Sequence, residues 1–194
     1  MNILIAAVGG QGALLASRIL GKLAQNIGLD VKVSEVHGMS QRGGSVVTYV
    51  KFGDKIYSPI VEKGSADVIL ALEMLEGARY LDWLKKDGTL IVSTQRIDPM
   101  PVISGSTSYP DNLVAEISRL PIKLYSVDAV QLASKAGNVR ATNVVLIGIL
   151  ASTTTIAKEE WEKAISEIVP QRLLEINLSA FELGYGIKAS SSIL

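Results

Sequence analysis

The sequence predicts a three-layer α/β sandwich with a mostly parallel sheet, one antiparallel hairpin and a helical C-terminal region. Three observations predict it. Short apolar runs rich in β-branched residues alternate with helical patterns through the first two thirds of the chain. Two strand patterns around Gly53-Asp54 follow each other with no helix between them, so the sheet is expected to be mixed. Beyond Asn143 only helical patterns remain.

In order, Asn2 to Ala7 reads as a strand, followed by Gly9-Gly10-Gln11-Gly12. Leu15, Ile19, Leu23 and Ile27 recur every four residues as a helix stripe, which Gly28 stops. Val31 to Val36 is a second strand, and this βαβ opening predicts parallel pairing of the two strands. Ser45 to Phe52 alternates as a strand and is expected to pair with Lys55 to Tyr57 through a two-residue turn at Gly53-Asp54. Asp67 to Leu72 is a buried strand, Leu75 to Leu84 a helix, and Thr89 to Ser93 a strand entered through Asp87-Gly88. Pro99 to Pro110 carries three prolines and several serines and is an irregular loop. Leu113 to Ile117 is helical and Lys123 to Val127 is the last strand. Asp128 with Gln131 has the spacing of a capping box. Val144 to Leu150, Glu159 to Ile168 and Leu173 to Leu183 are helices. Residues 1–188 are expected to form one domain, with 189–194 a frayed tail.

Composition narrows the function. Hydrophobic residues make up 48% of the 194, a globular value. Nineteen basic residues balance nineteen acidic ones, which argues against a nucleic-acid or anionic-membrane partner. The longest apolar run, Val144 to Ala151, is too short to span a bilayer, and the start of the chain lacks the charged region of a signal peptide. The cytoplasm is the default location. There is no cysteine, hence no disulfide, thiolate nucleophile or cysteine-held iron–sulfur cluster. The single histidine, His37, excludes a multi-histidine zinc site. Redox chemistry would need an electron carrier held elsewhere.

The first βα turn carries a Rossmann-like signal. Ala7-Val8-Gly9-Gly10-Gln11-Gly12 has the G-x-G-x-x-G spacing with alanine in the first place, and Glu35 ends the second strand 23 residues after Gly12. Three readings stand open: a dinucleotide, another phosphate-bearing ligand on the helix N-terminus, or close packing of helix on sheet.

Glu35-Val36-His37-Gly38-Met39-Ser40-Gln41-Arg42-Gly43-Gly44-Ser45-Val46 is more informative, because a plain connection between strands would be shorter and less specified. Together with the glycine turn it resembles the gamma-type domain of the 2-oxoacid:ferredoxin oxidoreductases. Further motifs follow in order: Ser58-Pro59, Ala66-Asp67-Val68 leading to Leu72-Glu73, Leu75-Glu76-Gly77-Ala78-Arg79, Val127-Asp128-Ala129 with Leu132-Ala133, and Asn143 with Leu146-Ile147-Gly148. The resemblance covers roughly residues 2 to 150, and the wording Ser34-Glu35-Val36-His37-Gly38-Met39-Ser40-Gln41-Arg42-Gly43-Gly44-Ser45-Val46 inclines it to the indolepyruvate type. The pyruvate, 2-oxoglutarate and branched-chain types are the alternatives.

That resemblance implies a non-thiamine-binding subunit, inactive alone, of a complex that oxidatively decarboxylates 2-oxoacids to acyl-CoA and reduces ferredoxin. Thiamine diphosphate, Mg and iron–sulfur clusters are then expected on a large partner subunit, with coenzyme A at the interface and two copies of each chain. The sequence agrees in what it lacks. It has no cysteine, and Gly53-Asp54-Lys55 does not fit the motif that holds thiamine diphosphate through a metal.

The candidate ligand or partner-interface residues are Gly9, Gly10, Gln11, Gly12, Glu35, His37, Gln41, Arg42, Gly43 and Gly44. Arg42 could clamp a phosphate or carboxylate, or order its loop through a salt bridge. His37 could act as an acid or base, or be a hydrogen-bonded loop residue. Gly43 and Gly44 suit a tight turn or the close approach of another chain. Glu35 and Glu73 end strands and could face a crevice, although Glu73 also suits a helix N-terminus. Asp128 and Asn143 read as helix caps, a role worth about 1 kcal/mol. Met39, Met74 and Met100 read as packing or interface residues. Three functions remain in competition: an accessory oxidoreductase subunit, an autonomous dinucleotide-binding enzyme and a bracing module without catalytic effect.

Overall fold

A computed structural model describes residues 1–37 and 44–187; Gly38 to Gly43 and the 188–194 tail lie outside the described residues. The strands are β1 (Asn2–Val8), β2 (Asp30–His37), β3 (Ser45–Gly53), β4 (Ala66–Ala71), β5 (Leu84–Ser93) and β6 (Lys123–Val127). The helices are α1 (Ala13–Asn26), α2 (Met74–Arg79), α3 (Met100–Ile103), α4 (Leu113–Ile117), α5 (Ala129–Lys135), α6 (Thr142–Ser152), α7 (Lys158–Ile168) and α8 (Gln171–Tyr185). Helix α1 follows its apolar stripe and ends at Ile27, with Gly28 taking the left-handed conformation at φ +77°.

The strands form one sheet in the order β2-β3-β1-β4-β5-β6. β1, β4, β5 and β6 pair in parallel, whereas β3 is antiparallel to both β1 and β2. The mixed sheet and the helical C-terminal region are as expected, but three details differ. β1 and β2 run in the same direction without touching, because β3 lies between them. Their residue chemistry explains this. β3 buries Val46, Val47, Thr48, Val50 and Phe52 and so needs cover on both faces, while β2 carries Lys32 and Glu35 exposed and suits an edge.

The second difference concerns the hairpin. The antiparallel pair is β2 with β3, joined by residues 38–44, and not Ser45–Phe52 with Lys55–Tyr57. Both flanks of β3 are already occupied, so the chain after Gly53 leaves the sheet. There the Ile56 N–H donates to the Asp30 carboxylate at 2.8 Å. The helix expected over Leu75–Leu84 is also shorter. α2 stops at Arg79, a 3-10 turn covers Leu81–Trp83, and Leu84 already belongs to β5. The irregular 99–110 loop contains only the single turn of α3, whose Met100 stands exposed, while Met74 is buried.

Alternation along β1 divides the core. Ile3, Ile5 and Ala7 pack with α1, α5, α6, α7 and α8 on one face. Leu4 and Ala6 pack with α2 and α4 on the other. α6 is buried over all ten residues from Thr142 to Ala151 and is apolar all round, as a helix between sheet and outer helices must be. It meets α8 backbone to backbone: a Cβ on Gly148 would lie 2.2 Å from the Phe181 carbonyl oxygen. Among the described residues, no helix is long and apolar enough to cross a membrane.

Candidate functional site at the first glycine turn

The chain leaves β1 toward β2 on one side of the sheet, while β4 and β5 continue on the other. The carboxyl ends of β1 and β4 therefore form the point where the winding reverses, which is where open α/β sheets hold ligands. The Gly9–Gly12 turn sits there. Gly12 takes φ +89° as the N-cap of α1 and packs against Asn143, whose Nδ2 donates to the Gly12 carbonyl at 2.9 Å. A Cβ on Gly12 would stand 2.7 Å from that Nδ2. Asn143 thus braces the turn across the core and does not simply cap its own helix; the N-cap of α6 is Ala141.

Gln11 is a staple. Its Oε1 accepts the Val8 N–H at 2.8 Å, and its Nε2 donates to the Leu72 carbonyl and to Gln95 Oε1, both at 2.9 Å. The side chain therefore ties the turn to the ends of β4 and β5. Gly9 donates its N–H to the Gly44 carbonyl at 2.8 Å, so the turn also holds the start of β3.

Two cavities flank the turn. One, about 370 Å³, is lined by Val8 to Leu14 with Glu35 and Val46. The other, about 440 Å³, lies between Gly10, Gln11, Gly12 and Leu15 on one side and Gln95, Val130, Val139, Arg140, Thr142 and Asn143 on the other. The structure thus brings together Gly9, Gly10, Gln11, Gly12, Glu35 and Gly44. His37 closes β2 opposite Val46, its backbone within the ladder. Gln41, Arg42 and Gly43 lie outside the described residues.

Glu35 reaches the cavity from β2, two strands away from β1. Neighbouring strands are about 4.8 Å apart, so it stands roughly twice as far from the turn as the acidic residue of a dinucleotide site on an adjacent strand. With Gln11 filling the turn with its own hydrogen bonds, this geometry does not favour the dinucleotide reading.

Glu73 does not face the crevice; it is buried at 1% exposure. It caps α2 by accepting the Glu76 N–H at 2.8 Å, and it accepts the Ile97 N–H at 3.1 Å and the Tyr109 hydroxyl at 2.6 Å. Burial, reinforced by the Glu73 carboxylate beside it, holds the Tyr109 phenol well above its ordinary range, so Tyr109 is a neutral donor here. Arg96 lies over the Tyr109 ring, 4.3 Å from its centroid.

Gln95, Arg140 and Thr142 border the site without having been singled out from the sequence. Their signals are ordinary in one dimension: Gln95 follows a strand, Arg140 precedes a buried helix and Thr142 opens it. Only the Gln11–Gln95 bond and the α6 packing reveal them.

The site offers backbone N–H groups, helix starts and glutamine and carboxylate side chains. Among the described residues lining the two cavities, none is redox-active and none is a nucleophile beside a base. Among the described residues no three His, Cys, Asp or Glu side chains gather to hold a metal ion, and the chain has no cysteine for an iron–sulfur cluster. Such a fold and site define a mixed α/β chain whose first glycine turn stands between two cavities at the reversal point of its sheet.

A family model described as pyruvate ferredoxin/flavodoxin oxidoreductase matches residues 2–187, and the chain belongs to that family. It is 44% identical to indolepyruvate oxidoreductase subunit IorB of Pyrococcus horikoshii, over all of this chain and 97% of that one. It is 42% identical to the corresponding subunit of Thermococcus kodakarensis, over 100% of this chain and 97% of that one. Among solved structures it superposes with a TM-score of 0.70, at 26% identity, on the keto/oxoacid ferredoxin oxidoreductase gamma subunit of Geobacter sulfurreducens, covering 95% of each chain. Within its family the chain is thus a subunit of the indolepyruvate oxidoreductase IorB type, one component of a 2-oxoacid:ferredoxin oxidoreductase.

Proposed function

We propose that this chain completes, in trans, the active site of a complex that oxidatively decarboxylates arylpyruvates such as indolepyruvate. A 2-oxoacid and coenzyme A become acyl-CoA and CO2, and two ferredoxins each take one electron. Thiamine diphosphate, bound with Mg on the large partner subunit, supplies the electron sink for decarboxylation, and clusters on that partner carry the electrons. This chain supplies binding. The Gly9–Gly12 turn and the Glu35–Gly44 segment face the partner and meet coenzyme A at the shared interface, with Arg42 clamping one of its phosphates. The assembly holds two copies of each chain and works in the cytoplasm.

One observation carries this reading. The glycine turn lies at the reversal point of the sheet, between two cavities, in a chain with no cysteine to hold an iron–sulfur cluster. The substrate class rests on the IorB-type sequence relationship.

Co-expression with the thiamine-binding subunit tests it. The isolated chain is expected to show no 2-oxoacid oxidation, and the complex full activity. Arg42→Ala is expected to leave the complex assembled while raising the KM for coenzyme A by roughly tenfold, the loss of one good ionic contact. Full activity of the chain alone would overturn the proposal. An unchanged KM for coenzyme A in the Arg42→Ala complex would leave only a bracing role.

A further inference from the structure

Helix α2 carries a second buried carboxylate whose work is not local. The Glu76 side chain is 4% exposed. Its Oε1 accepts Arg79 at 2.7 Å, and its Oε2 accepts the Ser45 hydroxyl at 2.5 Å, from 31 residues earlier in the chain. Glu73 already caps α2 and its three hydrogen bonds account for its burial; the cap takes the Glu76 backbone N–H and leaves the Glu76 side chain unused.

Ser45 occupies a particular place. It opens β3 and pairs with Val8, the last residue of β1. The residue before it, Gly44, accepts the Gly9 N–H of the glycine turn. The residue after it, Val46, lines the 370 Å³ cavity beside that turn. The wall of the cavity is therefore pinned on one side to the turn and on the other, through Ser45, to Glu76. A backbone carbonyl could have received a serine hydroxyl. An ionised acceptor makes a shorter and stronger bond, and a carboxylate withdrawn from water is kept only where its partners hold it.

We infer that Glu76 is a positioning residue: through the Ser45 hydroxyl it holds the β3 wall of the cavity at the geometry that ligand binding requires. The inference rests on the coenzyme A reading of this site, and its test separates the two. In the assembled two-subunit complex, Ser45→Ala is expected to raise the KM for coenzyme A about tenfold with kcat within about twofold, because uniform binding and not chemistry is impaired. Ser45→Thr, which keeps the hydroxyl, is expected to restore KM. Glu76→Gln is expected to raise KM less than Ser45→Ala does, and the Ser45→Ala/Glu76→Gln double variant to be no worse than Ser45→Ala alone, since both remove one interaction.

An unchanged KM in Ser45→Ala, with Arg42→Ala still impaired, would overturn the inference and leave the proposed function standing. Unchanged behaviour of both variants would overturn both. A Ser45→Ala complex that melts earlier, with kcat and KM changed together and no rescue by threonine, would show a structural role only and overturn the inference.

Discussion

At the residue scale, single side chains hold the site by bonds that span the whole chain. Asn143 reaches Gly12 across 131 positions, and Gln11 reaches Gln95 across 84. Gly12 is where this bracing is most vulnerable. Alanine there would have to adopt φ +89° and would meet the Asn143 amide at 2.7 Å. The left-handed conformation costs about 1–2 kcal/mol for a side-chain-bearing residue. Displacing Asn143, itself 1% exposed, leaves buried polar groups unpaired for about 1–3 kcal/mol more. Gly12→Ala is therefore expected to lose roughly 2–5 kcal/mol in a urea titration. The need for glycine in this turn was legible from the motif. The residue that makes it necessary was not, because Asn143 touches Gly12 only after α6 is packed in place.

At the element scale, two helices begin with an acidic cap and differ in what the cap carries. Asp128 caps α5 by accepting the Gln131 N–H at 2.9 Å and is exposed, as its spacing to Gln131 suggested. Glu73 caps α2 and also binds Ile97 and Tyr109, so it fastens the 94–112 segment to the sheet. Asp128→Ala is expected to cost about 1 kcal/mol. Glu73→Ala is expected to cost about 3 kcal/mol or more, since a cap and two long-range bonds are lost and Tyr109 is left without its acceptor. Chemical denaturation of the two variants side by side checks the order. A ranking with Asp128→Ala the worse would mean that the Glu73 network carries no net stability. Sequence placed both acids near helix starts, but burial, which sets the difference, comes from segments 24 and 36 residues further on.

At the scale of the whole molecule, the thick side of the sandwich depends on how closely α8 approaches α6. Helix α6 lies between the sheet and α8, and the two helices touch through Gly148 and Gly184. A methyl group at position 148 would overlap the backbone of α8, 2.2 Å from the Phe181 oxygen and 2.8 Å from the Tyr185 nitrogen. Backbone cannot yield as a side chain does, so the helices must part and the packing around buried Trp161 and Phe181 must loosen. Gly148→Ala is expected to destabilise the protein by about 3 kcal/mol or more, seen as a melting transition lowered by several degrees. A transition at the wild-type temperature would show that α8 can move aside without cost.

The sequence by itself determined most of the local elements and the family. Apolar periodicity marked most strands and helices to within a few residues, because it records which face each segment buries; it failed at Lys55–Tyr57, which forms no strand, and at the end of the Leu75–Leu84 helix, where β5 begins instead. The missing cysteines removed cluster chemistry, and the ordered motifs from Gly9 to Gly148 pointed to the family. Tertiary structure alone decided the order of the strands. Pairing is a competition between distant segments for the same edge, and β3 won the place beside β1 because its two apolar faces needed cover that the charged β2 did not. The same folding step set Gln95, Asn143 and the Glu76–Ser45 bond around the glycine turn. Hydrogen bonds between residues far apart leave no period in the chain, so the turn was readable in one dimension and the site built around it was not.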